Sequence, residues 1–268
     1  SRRTRHKGIL LMNANDPGQP PISHQHGIES FNLEAPRIAL AVGAHPDDVE
    51  FGCGGTLAKW SQLGCEIHHY VMTDGSKGTW DPTADTTALV ERRRAEQVNA
   101  HLRLGGDGDD HVHWLGRVDG ELESDVAGRS EIARLIRTVQ PDVVLTHDPW
   151  KRYRLHPDHR ETGRLVCDAI VAARDPHFFP EHGLQPHRPQ QLLLWEADEV
   201  NHIEDVTVSL ATKLAALEAH VSQFESTMKA VDEGGLDDFR NRMTSRMAEI
   251  AEPFGLQAAE AFHLMSNL

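Results

Sequence analysis

The stretch that decides the fold begins at residue 38 and reads Ile-Ala-Leu-Ala-Val-Gly, followed by Ala-His-Pro-Asp-Asp at residues 44–48. An uninterrupted apolar run is typical of a parallel strand that helices cover on both faces. A second run, Asp142–Thr146, reads Asp-Val-Val-Leu-Thr and is also followed by a polar loop. Together the two runs predict the centre of a mostly parallel sheet.

Short apolar runs and longer helical stretches alternate along the rest of the chain from Arg37. This alternation is typical of βα units, so we expect an α/β fold, a three-layer αβα Rossmann-like domain over residues 37–268. Further strands are predicted at Glu66–Met72, Val112–Leu115, Gln191–Trp195 and His202–Val206. Helices are predicted at about 54–63, 89–104, 159–173, 209–220 and 237–251, and around Ile132, Leu135, Ile136 and Val139.

The first 36 residues show neither a helical nor a strand period and contain three prolines before residue 22. We therefore expect residues 1–36 to form an N-terminal arm or tail outside the fold. No apolar stretch approaches the roughly 18 residues that span a bilayer, so stable membrane insertion is not expected. The three cysteines lack any Cys-x-x-Cys spacing, which argues against disulfides and predicts a cytoplasmic location.

The chain is acidic, with 27 Lys and Arg against 41 Asp and Glu, a formal charge of −14, and 18 histidines. A surface of this sign repels phosphate backbones, so we expect no nucleic-acid partner. The same charge disfavours a polyanionic substrate. A small-molecule partner fits this composition better, and the sequence leaves a homo-oligomer open.

The first polar turn places His45, Asp47 and Asp48 at the carboxyl end of a predicted strand, where open α/β sheets bind ligands. His45 and Asp48 are three residues apart on a tight turn and can face one point, which leaves Asp47 free to act on whatever is bound there. Alternatively, one of the two carboxylates caps the following helix. A helix cap needs only one carboxylate, so it does not explain why a second carboxylate lies next to a histidine.

A second polar cluster, His156-Pro157-Asp158-His159, follows the loop after the Asp142–Thr146 strand. Pro157 suits the first position of a helix, which would place His156 on the loop and His159 on the first helical turn. One imidazole could then bind a metal while the other remains available to carry a proton or charge.

With these motifs, the sequence resembles the LmbE/PIG-L-like zinc-dependent N-acetylglucosamine de-N-acetylases. The resemblance covers roughly residues 37–225 and rests on residues 44–48, 73–78, 141–148, 156–159 and 213–217, with His220, Ser222 and Gln223. It implies that the protein removes the N-acetyl group from an amino sugar of a small glycoconjugate.

The resemblance also implies a role for individual residues. His45, Asp48 and His159 would bind one Zn²⁺ per chain, and three protein ligands leave a position open for water. Asp47 would be the general base when zinc-activated water attacks, and His156 the electrophilic partner that stabilises the oxyanion. Whether Asp47 or His156 protonates the leaving amine stays open.

Several further residues are weaker candidates. Lys77, Trp80 and Asp81 lie in a loop after the second strand and could contact a sugar, or belong to a solvated loop. His220 could lie at the rim of the site or stabilise a helix C-terminus. Asp148 could orient a catalytic imidazole or close an Asx turn before Pro149.

The remaining histidine pairs do not form a metal site by sequence alone. His68 and His69 are neighbours on a predicted strand and therefore face opposite sides of the sheet, so we expect them to be structural. His111 and His113 have a spacing that could bind adventitious metal, but nothing near them in the sequence completes a site.

Three other functions are compatible with parts of the sequence. A phosphoesterase-type metal-dependent hydrolase would need more bridging carboxylates. A catalytically inactive amino-sugar-binding protein is disfavoured because Asp47 and His156 are both present. A dinucleotide-binding oxidoreductase is disfavoured because Gly52–Leu57 begins like the glycine fingerprint but ends in leucine.

Overall fold

The computed structural model describes residues 27–268. Eight strands of this part of the chain form one sheet in the order β1-β7-β8-β6-β5-β2-β3-β4. Their bounds are Ser30–Phe31 (β1), Ile38–Gly43 (β2), Glu66–Thr73 (β3), Val112–Arg117 (β4), Val143–His147 (β5), Gln191–Trp195 (β6), His202–Asp205 (β7) and Ala259–Ser266 (β8). All neighbours are parallel except β8, which is antiparallel to β6 and β7.

Six α-helices of the described residues cover the sheet. They are Asp48–Gln62 (α1), Thr86–Arg103 (α2), Val126–Val139 (α3), Pro157–Arg174 (α4), Leu210–Leu217 (α5) and Glu233–Ala251 (α6). One apolar core unites α1, the end of α2 and α5 with one face of the sheet, and a second unites α3 and α4 with the other face. The expected three-layer, mostly parallel α/β fold is confirmed.

The parallel pairing of β2 with β5 positions the two polar clusters. Val42 is in register with Thr146, so the turn after β2 and the loop after β5 leave the sheet side by side. Strand β2 pairs with β3 on its other side, which makes the carboxyl end of β2 the point where the strand order reverses. Ligands of open α/β sheets bind at such a point.

Helix α1 begins at Asp48, six residues earlier than the sequence predicts. Its first turns contain glycines that lower helix propensity, but packing requires at least one of them: a Cβ on Gly52 would lie 2.5 Å from the Trp195 ring. The Gly52–Leu57 stretch is therefore the interior of a helix packed on the sheet and not a phosphate-binding loop.

Two sheet strands lie outside the predicted set. Strand β1 belongs to the stretch predicted as an arm and pairs with β7 through Ser30 and His202, so the exclusion of residues 1–36 from the fold is wrong for residues 30–31. Residues 1–26 lie outside the described part of the chain. Strand β8 was not predicted, and it closes the gap between β6 and β7.

The helices and the cysteines bear on two further expectations from the sequence. No helix within residues 27–268 is long and apolar enough to span a bilayer. Cys53, Cys65 and Cys167 are free thiols, and the first two are buried.

A buried ion pair joins α1, α5 and β8 beside the polar turns. Lys213 Nζ donates to Glu260 Oε1 at 2.5 Å and to the Phe51 carbonyl at 2.8 Å. Glu260 also accepts from the backbone amides of Gly55 and Thr56, at 2.9 and 2.8 Å. Because both charges are almost fully buried, each depends on the other for compensation.

Lys213→Ala is expected to lower the free energy of unfolding by about 3–5 kcal/mol, since it leaves the Glu260 carboxylate buried without its counter-charge. Urea denaturation followed by circular dichroism measures this change. Arg188→Ala, which removes an exposed basic side chain, is the control and should stay within about 0.5 kcal/mol of the wild type. Equal stability of the two variants would contradict the role given to the pair.

Candidate active site

The turn between β2 and α1 holds Asp47 in a strained backbone conformation. Its φ of 103° lies in the left-handed region, which a residue with a Cβ rarely adopts and which clusters at functional sites. The Asp47 amide donates to Gln97 Oε1 at 2.9 Å. The Arg93 guanidinium donates to the carbonyls of Pro46 and Gly75, at 2.6 and 2.9 Å. Helix α2 therefore holds this turn in place.

Three side chains from the two polar clusters converge beside this turn. The Asp48 carboxylate lies 3.3 Å from His45 Nδ1 and 3.4 Å from His159 Nε2. One donor atom from each of the three residues falls within 4.8 Å of the others. His159 reaches this position because Pro157 begins α4, which places His159 on its first turn.

The other nitrogen of His45 faces carboxylates. Its Nε2 lies 3.1 Å from Asp158 Oδ2 and 3.2 Å from Asp119 Oδ1. An imidazole that donates Nε2–H to a carboxylate presents the lone pair of Nδ1, and carboxylates play this part behind metal-binding histidines. We assign this tautomer to His45 from its hydrogen bonds. Its Nδ1 is then free to coordinate a metal.

His147 contacts two members of the cluster, His159 and Asp48. Its ring stacks on that of His159, with centroids 4.3 Å apart, and its Nε2 lies 3.2 Å from Asp48 Oδ2. The Trp195 indole donates to His147 Nδ1 at 2.9 Å. These contacts orient both Asp48 and His159.

The charges at the cluster suit a cation. Burial would raise the pKa of Asp48, but His159 and His147 outweigh it and hold that pKa well below its usual range. Asp48 is therefore an anion among imidazoles. Two imidazole nitrogens and one carboxylate oxygen are a donor set that zinc accepts in catalytic sites, so these residues fit a divalent metal.

Asp47 is adjacent to the cluster and is not a helix cap. It occupies the residue before α1, but its side chain makes no capping hydrogen bond, which removes that alternative. Burial raises the pKa of Asp47 to about 6. The Arg93 guanidinium, whose Nη2 lies 3.5 Å from Asp47 Oδ2, opposes this rise. A carboxylate with this pKa can exchange protons near neutrality.

A cavity of about 620 Å³ opens above these residues. Its polar end is lined by His45, Asp47, Asp48, His156 and His159. Its other walls come from the loops after β3 and β6 and from α6, and they include Trp80, Trp195, Met243 and Met247. Binding sites for small molecules are typically cavities of this size with few polar groups.

Sequence comparison agrees with this arrangement. Residues 40–170 match the family described as PIG-L, GlcNAc-PI de-N-acetylase. Diacetylchitobiose deacetylase of Thermococcus kodakarensis is 35% identical over 188 residues, which cover 69% of this chain and 69% of that protein. The chain belongs to the PIG-L family.

Other relatives of this PIG-L chain are also deacetylases. The 1D-myo-inositol 2-acetamido-2-deoxy-alpha-D-glucopyranoside deacetylase of Kineococcus radiotolerans is 28% identical, with 71% of this chain and 70% of that protein covered. The solved structure of N,N'-diacetylchitobiose deacetylase from Pyrococcus horikoshii, in complex with its inhibitor MPG, has a TM-score of 0.77 at 30% identity and covers 86% of this chain and 84% of that one.

His156 lies at the mouth of the PIG-L cavity. Its ring is 4.6 Å from His45 and 4.8 Å from His159, centroid to centroid. Burial, His45 and His159 lower the pKa of His156, which favours a neutral imidazole.

The structure separates the three loop candidates for sugar contact. Trp80 lines the cavity and is 81% exposed, so its ring is free to contact a ligand. Lys77 also lines it, but its Nζ is bound to Glu121 Oε1 at 3.1 Å and to the Asp119 carbonyl. The Asp81 carboxylate accepts from Thr83 N and Oγ1, at 2.8 and 2.7 Å, and does not line the cavity.

His220 and Asp148 lie away from the cavity wall. His220 is fully buried and places Nε2 3.1 Å from Glu50 Oε2, in a polar layer behind Asp47 rather than at the rim. Asp148 accepts from the Trp150 amide at 2.8 Å, which is the Asx turn before Pro149. No hydrogen bond within residues 27–268 joins Asp148 to an imidazole.

Sequence reasoning missed several residues of the site, among them His147 and Asp158. Asp158 stands inside the His156-Pro157-Asp158-His159 motif and His147 directly follows the predicted Asp142–Thr146 strand, so their positions were usable signals. Glu50, Arg93 and Asp119 were also missed: they come from helices or loops without a motif, and only the fold brings them to the site.

Asp158→Ala is expected to weaken binding of a divalent metal by about 10- to 100-fold, as removal of such supporting groups typically does. Asp158 holds His45 and also accepts from the amides of Gly120 and Leu122, at 2.6 and 3.2 Å. Competition between the protein and a chelator for Zn²⁺ measures the affinity. Asp148→Ala is the matched control and should bind Zn²⁺ as the wild type does, whereas a greater loss in that variant would favour the role for Asp148 expected from the sequence.

Proposed function

We propose that this protein is a zinc-dependent hydrolase that removes the N-acetyl group from an N-acetylglucosamine-type sugar of a small glycoconjugate. The observation that carries the proposal is the convergence of His45, Asp48 and His159 beside a buried Asp47 at one end of a cavity. Membership of the PIG-L family and the deacetylase names of the relatives point to the same reaction.

Zinc is the metal we propose for His45, Asp48 and His159. Bound there, it would supply a Lewis acid and lower the pKa of a bound water from 15.7 to about 7. Other side chains of the protein hold these three residues in position. Asp158 contacts His45, and His147 contacts Asp48 and His159.

Asp47 is the proposed general base. It accepts a proton from the attacking water as the new C–O bond forms at the acetamide carbon. When the C–N bond breaks, that proton is returned to the departing nitrogen, so acetate and a primary amine are released. The strained turn fixes the Asp47 carboxyl at the cavity surface, and Arg93 keeps its anion available.

His156 is proposed to stabilise the oxyanion of the tetrahedral intermediate. It lines the cavity next to His45, and as a neutral imidazole it can donate one N–H to the developing charge. Loss of one such donor typically costs about 100- to 1000-fold in rate.

The cavity suggests how a glycoconjugate would lie. Trp80 offers an exposed ring face for a pyranose. Helix α6 contributes Met243, Met247 and Ile250 to the cavity wall, and this apolar surface suits the part of the substrate attached to the sugar. A volume of about 620 Å³ suits a small conjugate rather than a polymer.

Three wider expectations from the sequence stay predictions: the cytoplasmic location, the organisation of residues 37–268 as a single domain, and the oligomeric state.

Asp47→Asn should retain zinc and lose at least about 100-fold in kcat, because the amide cannot accept a proton and general-base catalysis contributes about that much or more. The assay measures acetate and primary amine released from a panel of N-acetylglucosaminides, with bound zinc determined by elemental analysis. Asp238→Asn, on the exposed face of α6, is the control. Near-normal turnover by Asp47→Asn would remove Asp47 from the role of base, and absence of release by zinc-loaded wild type from every sugar would refute the deacetylase proposal.

Met247→Ser should raise KM for an aryl N-acetylglucosaminide about 10-fold or more, since an apolar group in a pocket contributes about 1–3 kcal/mol. KM for free N-acetylglucosamine should change little, because in the proposed orientation α6 contacts only the group attached to the sugar. Steady-state kinetics on both substrates gives the ratio, which also separates a local effect from general destabilisation. An equal rise for both substrates would contradict the proposed orientation.

A further inference from the structure

A second group of histidines lies at the opposite edge of the sheet. Glu66 begins β3, His68 follows two residues later, and His111 immediately precedes β4. These are the amino ends of parallel strands, whereas the active site lies at the carboxyl ends. Glu66 and Thr73 mark the two ends of β3, roughly 20 Å apart at the usual rise per residue.

The fold supplies the partners that the sequence alone did not provide for His111 and His113. The register of β3 with β4 sets Tyr70 opposite His113, which brings this part of the chain beside His68. The rings of His68 and His111 stack at 4.1 Å between centroids. His68 Nε2 lies 2.7 Å from Glu66 Oε1, and its Nδ1 lies 3.0 Å from His113 Nε2.

Glu66, His68 and His111 each offer one atom that could bind a metal. The three atoms lie within 4.8 Å of one another. The set contains two imidazole nitrogens and one carboxylate oxygen, as the active-site cluster does. It shares no residue with that cluster.

The hydrogen bonds of the group leave one nitrogen unexplained. His111 Nδ1 is buried and has no hydrogen-bond partner among the described residues. A buried polar atom without a partner costs free energy. Stacking of the His111 ring on His68 does not replace the missing hydrogen bond. A metal ion would accept the lone pair of this nitrogen.

The local charge favours a cation. The adjoining loop adds the carboxylates of Asp107, Asp109 and Asp110.

We propose that Glu66, His68 and His111 form a second divalent-metal site, distinct from the active site. Imidazole and carboxylate donors suit Zn²⁺ and its neighbours in the transition series, and disfavour Mg²⁺ and Ca²⁺. A metal bound there would cross-link the start of β3 to the loop before β4 and stabilise this edge of the sheet. Its role is structural, and it adds one ion to the zinc content of the chain.

Equilibrium dialysis against ZnCl₂ tests the proposal, with bound zinc counted by elemental analysis. The variants are His111→Ala and Glu66→Gln, with His177→Ala, an exposed histidine on another loop, as the control. The wild type and the control should each bind one more Zn²⁺ per chain than His111→Ala. Added Zn²⁺ should raise Tm further in the wild type than in His111→Ala, because a ligand of the folded state stabilises it by mass action. Equal zinc content and equal Tm shifts in all proteins would overturn the proposal.

A measurement on the wild type covers the case in which a variant fails to fold. Diethyl pyrocarbonate acylates free imidazole nitrogens, and peptide mass mapping locates the modified histidines. Added Zn²⁺ should protect His111, which is half-buried, while the exposed His177 stays reactive. Unchanged modification of His111 would contradict the site. Because the readout follows this residue, it is independent of whether the protein is a deacetylase.

Discussion

Two adjacent carboxylates, Asp47 and Asp48, are buried at the end of the central strand, and the surrounding structure compensates their charges in different ways. Asp48 lies among imidazoles, which keep it ionised. Asp47 faces one guanidinium, that of Arg93, and burial brings its pKa to about 6. Because neighbouring residues of the same type receive different environments, one is suited to hold a cation and the other to carry a proton.

This arrangement depends on the sheet more than on any loop. The pairing of β2 with β5 brings His45 and Asp48 beside the loop that leads to His159. Helix α2 holds the strained turn through Arg93 and Gln97. The same parallel sheet has a second edge at the amino ends of its strands, where another group of histidines gathers, so the histidines concentrate at both ends of the strands.

Most of the central sheet and the core of the site could be predicted from sequence, because continuous apolar runs and motifs with His and Asp at short spacing are local signals. Strand β8 could not, since it is antiparallel and inserts between β6 and β7 from the far end of the chain. Asp119 and Arg93 could not, since a single charged residue in a loop or on a helix has no distinguishing pattern. His220 has a motif but lies in the buried layer behind Asp47.

The sequence by itself determined the helices and the six strands from β2 to β7, the residues of the two polar clusters and the family resemblance, because these depend on apolar periodicity and on residues close together in the chain. Only the tertiary structure decided which groups support the cluster: Asp158 rather than Asp148 contacts His45. It also decided that His111 meets His68 and Glu66. Both outcomes depend on strand register and on which way each side chain faces, and those are set by packing between segments distant in sequence.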